Sequence, residues 1–297
     1  MRLPLESVPN FSEGRDRATL EALGRALSER ATLLDVHADP DHNRSVFTVV
    51  GNEEALQEGL LAAIACARDR IDLRKHEGAH PRVGAADVVP IVPIRPEEME
   101  RAKSAALALA RRIGAELGLP VFVYGELASG RGPAFFRSGG LGGLRARVAS
   151  GELAPDFGPG EPSERSGAVL VGARRPLIAF NVNLRGQIED AREIAASVRE
   201  RDGGFPGVRA LGLDLPRAGI VQVSMNIEDW EAAALHLVVG AIEREAAARG
   251  AEVLGSELVG LMPGGAAAVA AGAALHIDGF DASRVLELRL LDAGLAL

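Results

Sequence analysis

TLLDVHADPDHNRSVFTVVGNEEALQEGLLAAIACARDRI, Thr32–Ile71, carries the fold in miniature. Thr32–Val36 and Ser45–Val50 are apolar stretches of strand length, separated by the turn chemistry of Asp-Pro-Asp-His-Asn. Asn52, just after Gly51, is a good N-cap side chain, and Glu53–Ile71 then reads as an amphipathic helix. Working outward, a strand near Leu3–Pro9 and a helix Arg15–Ser28 precede this block, and a strand Asp87–Pro93 follows it. The order is βαββαβ. A helix Pro96–Leu117 and a strand Val121–Tyr124 extend the unit. Gly130–Gly167 is so rich in Gly, Pro, Ser and Arg that a mobile, lid-like surface loop with at most one helix is expected. Ala168–Gly172 and Ile178–Leu184 around Arg174–Pro176 suggest a hairpin. From Leu177 the order βαββαβ returns, with helices Glu189–Arg201 and Asp229–Arg249 among strands 208–214, 220–227 and 252–259. The expected architecture is α/β (α+β): two tandem ferredoxin-like βαββαβ subdomains, 1–178 and 179–297, with a ligand cleft between them.

With 47% apolar and 25% charged residues in 297, the chain is composed like an ordinary globular protein, and disorder is excluded. The net charge of −8 provides no basic stripe to follow a nucleic-acid backbone, so a small-molecule substrate is favoured. A single cysteine, Cys66, excludes an internal disulfide framework. No leader-like segment opens the chain, and even the Ala/Gly-rich Gly264–Leu275 is too short to span a bilayer. A cytoplasmic protein is expected.

Four of six histidines fall in two polar segments at strand ends. In DVHADPDHNRS, residues 35–45, His37, Asp39, Asp41 and His42 are polar site contacts, a metal-ligand set, or simply a turn. RKHEGAHPRVGAAD, residues 74–87, sets His76 and His80 among cations and a glutamate. A histidine there can exchange a proton near neutrality, and Arg74, Lys75 and Arg82 can hold anionic groups, arginine through paired hydrogen bonds to a carboxylate. In FNVNL, residues 180–184, Asn181 and Asn183 share a strand face, as ligand contacts or as an internally satisfied pair. Gln222, Ser224 and Asn226 share another. There is no G-x-S-x-G, no P-loop and no dinucleotide fingerprint, so proton transfer and positioning remain as the chemistry.

Seven blocks in order closely resemble the formiminotransferase domain family of glutamate formimidoyltransferases: ESVPNFSEGRD (6–16), LLDVHADPDHNRSVFTVVG (33–51), IDLRKHEGAHPRVGAADVVPIVP (71–93), VFVYGE (121–126), PDFGP (155–159), VGARRPLIAFNVNL (171–184) and VQVSMN (221–226). The resemblance spans nearly the whole chain. It implies transfer of a formimidoyl group between N-formimidoyl-L-glutamate and N5 of tetrahydrofolate, as in histidine degradation, by a homodimer that needs no metal. It also implies His80 of AHPRVG as general base. The folate loop would be Gly158, Pro159, Gly160, Glu161, Pro162, Ser163, Glu164, Arg165, Ser166 and Gly167. His37 and Asp39 are then candidate catalytic partners of His80, with Arg44, Arg82, Asn181 and Asn183 as candidate substrate contacts. Ending at Leu297, without the helical cyclodeaminase domain fused in animal members, the chain is expected to carry the transferase activity alone. Other readings are a glycine-directed or formyl-transferring variant, a metal-dependent hydrolase using His37, Asp39, Asp41 and His42, and a folate-binding module without catalysis.

Overall fold

The computed structural model describes residues 3–128 and 130–294. The chain divides into two compact units at the Arg175–Pro176 bond.

The first unit runs β1 (Leu5–Ser7), β2 (Asn10–Phe11), α1 (Arg17–Ser28), β3 (Thr32–Asp39), β4 (Arg44–Gly51), α2 (Glu53–Arg70), β5 (Ala86–Pro93), α3 (Met99–Glu116), β6 (Val121–Gly125), α4 (Pro133–Arg137), α5 (Gly140–Ala149) and β7 (Val169–Ala173). Asp16 caps α1 through the Ala18 and Thr19 amides, and Asn52 caps α2 through the Ala55 amide. β4 lies between β3 and the β1–β2 segment, and β5 pairs antiparallel on the segment's other side, the ferredoxin-like order. β7 and then β6 continue the sheet in parallel from β5. Parallel neighbours require long crossovers, which α3 and the α4–α5 segment supply. Leu23, Leu27, Leu60, Ile64, Leu109 and Ile113 form the main core with Phe11 and Phe47, whose rings meet edge to face at 5.6 Å.

Two expectations are corrected here. Residues 130–167 are no extended lid. Phe136 of α4 and Leu144 of α5 are buried with Phe122, Val88 and Leu153 in a second small core. Leu141, Leu144 and Val148 recur at helical spacing, and that apolar stripe outweighs the entropy cost of the glycines around it. Nor do residues 168–172 and 178–184 form a hairpin, because β7 belongs to the first sheet and the following strand to another. All five residues of β7 are buried, as befits a parallel strand covered on both faces.

The second unit contains β8 (Ile178–Arg185), α6 (Ile188–Val198), β9 (Val208–Leu215), β10 (Ile220–Ile227), α7 (Leu235–Ala248), β11 (Glu252–Val259), α8 (Gly264–Leu275) and α9 (Leu286–Asp292). Its sheet is antiparallel in the order β11-β8-β10-β9, again ferredoxin-like. Ile194, Val198, Val238 and Ile242 of the helices pack with Val182, Val223 and Met225 of the strands. Among the described residues no helix is long and apolar enough to cross a membrane.

Candidate active site

In the first unit the chain leaves α2 through a short 3-10 turn, Leu73–Lys75, and reaches β5 through residues 76–85. An open cleft of about 520 Å³ lies over this passage, lined by Leu73, His76, Gly78, His80, Arg82 and Leu141 among others.

Asn43 holds the passage from below. It occupies the left-handed region at φ +46, and its Oδ1 accepts from the Gly14 amide at 3.0 Å while its Nδ2 donates to Glu77 O at 3.0 Å. Gly78 must lack a side chain, since a Cβ there would sit 2.2 Å from the His42 carbonyl oxygen. Arg82 binds the loop to itself. Its Nε donates to His80 O at 3.1 Å, its Nη2 to Gly78 O at 2.9 Å and His42 O at 3.3 Å, and its Nη1 to His76 Nδ1. The fork expected to grip a substrate carboxylate here bonds backbone carbonyls and the His76 ring. Burial also lowers the Arg82 pKa to about 10.

A guanidinium only donates, so His76 accepts at Nδ1 and carries its proton on Nε2, which donates to Asn43 O at 3.0 Å. Burial first, then the Arg82 charge, lower its pKa from 6.5 to about 4. Between those values the unfolded chain takes up a proton that the folded chain refuses. The contribution of His76 is therefore complete above pH 6.5 and is lost as pH falls through 4. Allowing for solvent screening, about 1–2 kcal/mol is at stake. Urea midpoints measured between pH 7 and 4 should fall less steeply in His76→Gln than in the parent, and equal slopes would refute the assignment.

His80 Nδ1 lies 2.8 Å from Pro81 O. A carbonyl only accepts, so Nδ1 carries the hydrogen and Nε2 is left as the basic nitrogen. Burial, followed by the charges of Arg44 and Arg137, draws the ring's titration well below the ordinary imidazole range, with Asp87 opposing and His42 assisting. The imidazole beside it is His42, at 5.9 Å between ring centroids. The sequence had suggested His37 or Asp39 as its partner. Instead Asp39 Oδ1 accepts the Asp41 and His42 amides at 2.7 Å each, closing the turn, and His37 stands on β3 in register with Val46. Of His37, Asp39, Asp41 and His42, His37 and Asp39 bring ligand atoms within 4.8 Å of each other, while Asp41 and His42 join no such group among the described residues.

Asp87 was missed. It is fully buried, and its Oδ2 accepts from Arg44 Nη1 at 2.7 Å and Arg137 Nη2 at 2.5 Å while its Oδ1 accepts the Val83 amide at 2.7 Å. Burial alone would raise its pKa, but the Arg137 and Arg44 charges prevail and hold it well below the carboxylate range. Arg44 also donates from Nε and Nη2 to Asn10 Oδ1, at 3.1 and 2.7 Å. It too is an internal partner and not a free carboxylate clamp. The signal in the sequence was an acid inside AADVVPIVP, residues 85–93, where every neighbour is apolar.

Residues 158–167 border the same passage. Leu73 N donates to Arg165 O at 2.8 Å and Ala85 N to Ser166 O at 2.9 Å. Arg145 of α5 pairs with Glu161 and Glu164 at 3.1 and 2.6 Å. Gly167 has φ +67, and a Cβ on it would lie 2.0 Å from Val83 O. Gly167→Ala should cost about 1–3 kcal/mol, read as a lower urea midpoint, whereas an unchanged midpoint would mean the turn is free to shift.

In the second unit Asn181 Nδ2 donates to Glu257 Oε2 at 3.0 Å, and Asn183 Oδ1 accepts from Gln222 Nε2 at 2.9 Å. Each asparagine thus has one partner within its own sheet.

The Formiminotransferase domain, N-terminal subdomain matches residues 4–174 and the Formiminotransferase domain matches residues 179–281. A glutamate formimidoyltransferase of Streptococcus pyogenes serotype M1 is 38% identical over 294 residues, 97% of this chain and 98% of that protein. One of Thermoplasma acidophilum is 37% identical over 298 residues, 96% of this chain and 97% of that protein. The formimidoyltransferase-cyclodeaminase of Rattus norvegicus is 42% identical over 270 residues, 87% of this chain but 50% of that protein, so the chain spans about half the length of this relative. With both subdomain models matched in order, the chain belongs to the formiminotransferase domain family.

Proposed function

We propose that the chain is a glutamate formimidoyltransferase, moving a formimidoyl group between N-formimidoyl-L-glutamate and tetrahydrofolate as a cytoplasmic homodimer. Family membership supports the reaction class, and the observation that carries the reading to residues is the His80 tautomer. With Nδ1 donating to Pro81 O, Nε2 is the ring's proton acceptor beside an open cleft.

The folate supplies the nucleophilic N5. His80 Nε2 takes the proton of the attacking amine and returns it to the departing glutamate nitrogen, so one imidazole serves both halves of the exchange. Because its titration lies well below the ordinary imidazole range, His80 is neutral at pH 7 and ready to accept. The loop 158–167, tethered to both ends of the His80 passage, is the proposed folate contact. Its exposed Glu161, Ser163, Glu164 and Arg165 offer polar groups of both kinds. Holding two substrates together removes translational freedom from the barrier, and the rigid passage keeps the base in place meanwhile.

The test is to mix the purified chain with tetrahydrofolate and, in separate reactions, N-formimidoyl-L-glutamate or N-formimidoylglycine. Consumption of the glutamate donor alone is expected. Preference for glycine would move the substrate assignment, and two intact donors would sink the reading.

A further inference from the structure

Arg44, Asp87 and Arg137 come from β4, β5 and α4 and converge as two guanidiniums on one carboxylate oxygen. Asp87 is 0% and Arg44 8% exposed, so solvent screens this group little. A buried set of that kind is a poor device for stability alone, because desolvating three charges consumes most of what their pairing returns. Its contacts indicate a further task. Oδ1 of the same carboxylate takes the Val83 amide, three residues after His80, so the cluster is bonded to the end of the catalytic passage.

We propose that Asp87, Arg44 and Arg137 are positioning residues for His80: the carboxylate anchors the passage at Val83, and the two cations and one anion gathered there set the electrostatic surroundings of the ring. This deepens the reading of His80 as base and rests on it. The groups acting on the ring are Arg44 from β4, Arg137 from α4, Asp87 from β5 and His42 from the turn after β3. Their signs give opposite consequences. Removing a cation makes protonation of the ring easier, and removing the carboxylate makes it harder.

The experiment is an NMR titration of His80 in the full chain carrying isotope-labelled histidine, assigned by its loss in His80→Ala. In Arg137→Gln, which leaves the Arg44–Asp87 pair in place, the ring should gain its proton roughly one pH unit higher than in the parent. Arg137→Lys, which keeps the charge but not the fork, should return the titration to within about 0.3 unit of the parent, a rescue that a shape-filling role would not give. Asp87→Asn, where it folds, should move the titration down. A shift below about 0.3 unit in Arg137→Gln, an equal rise in Arg137→Lys, or a ring unprotonated in parent and Arg137→Gln alike down to acid unfolding overturns the proposal. No turnover is needed for these readings, so the two ideas fail separately. If His80→Ala keeps its transferase rate while the titrations move as described, the base assignment falls and the electrostatic role of the cluster stands. If the rate collapses while the titrations stay put, the cluster falls and the base stands.

Discussion

His80→Ala should lower transferase turnover by about 10²–10⁴ while tetrahydrofolate still binds, the range usual for losing a positioned acid–base group. The size follows from the lack of a substitute. The neighbouring His42 is buried and held in the turn that Asp39 closes, and His76 is fixed by Arg82 and Asn43 with its proton on Nε2. His76 cannot swing over without breaking bonds that hold the passage. Binding should persist because the loop 158–167 is tethered through Leu73 and Ala85, not through the His80 ring. Steady-state rates and a fluorescence titration with folate, made on the same preparations, separate the two effects. A variant that keeps its rate is fatal to the base assignment, and one that loses folate affinity in step with rate makes His80 a binding group.

Asp87→Ala should cost about 3–5 kcal/mol of stability, since it strands two guanidiniums in the interior. That is a large share of the roughly 5–15 kcal/mol available to a typical domain, so much of the variant should be unfolded or aggregated at 37 °C. The Val83 amide loses its acceptor as well. Replacing all three partners, as Arg44→Met/Asp87→Leu/Arg137→Met, should recover most of the stability, because a well-packed apolar set costs no desolvation. Urea midpoints of the single and triple variants decide the matter, and a single variant within about 1 kcal/mol of the parent would mean that water already reaches the cluster.

Much of this is legible in the sequence. Period-2 and helical spacing located the strands and helices of both ferredoxin-like sheets, because each buries one apolar face, although the helix expected from Asp229 begins only at Leu235. The His80 passage stood out because polar residues crowded a strand end. What stayed hidden depends on partners far away in sequence. Arg44 and Arg82 offered the right chemistry for a carboxylate, and only the tertiary fold reveals that Asp87 and backbone carbonyls take it. Asp39 was a candidate partner of His80, and the fold adds that one of its oxygens caps its own turn, as aspartates in loops commonly do. The 130–167 segment misled through composition, its glycines masking the stripe that buries Leu144.

The partners of Asp87 lie 43 residues before it and 50 after it along the chain. Helices and hairpins close short loops and form early, whereas contacts across such separations must first meet a larger entropy of loop closure. A chain diluted out of urea should thus recover its helical circular dichroism well before its activity. The interval between the two would time the long-range contacts of the first unit, the arrival of α4 on β5 among them.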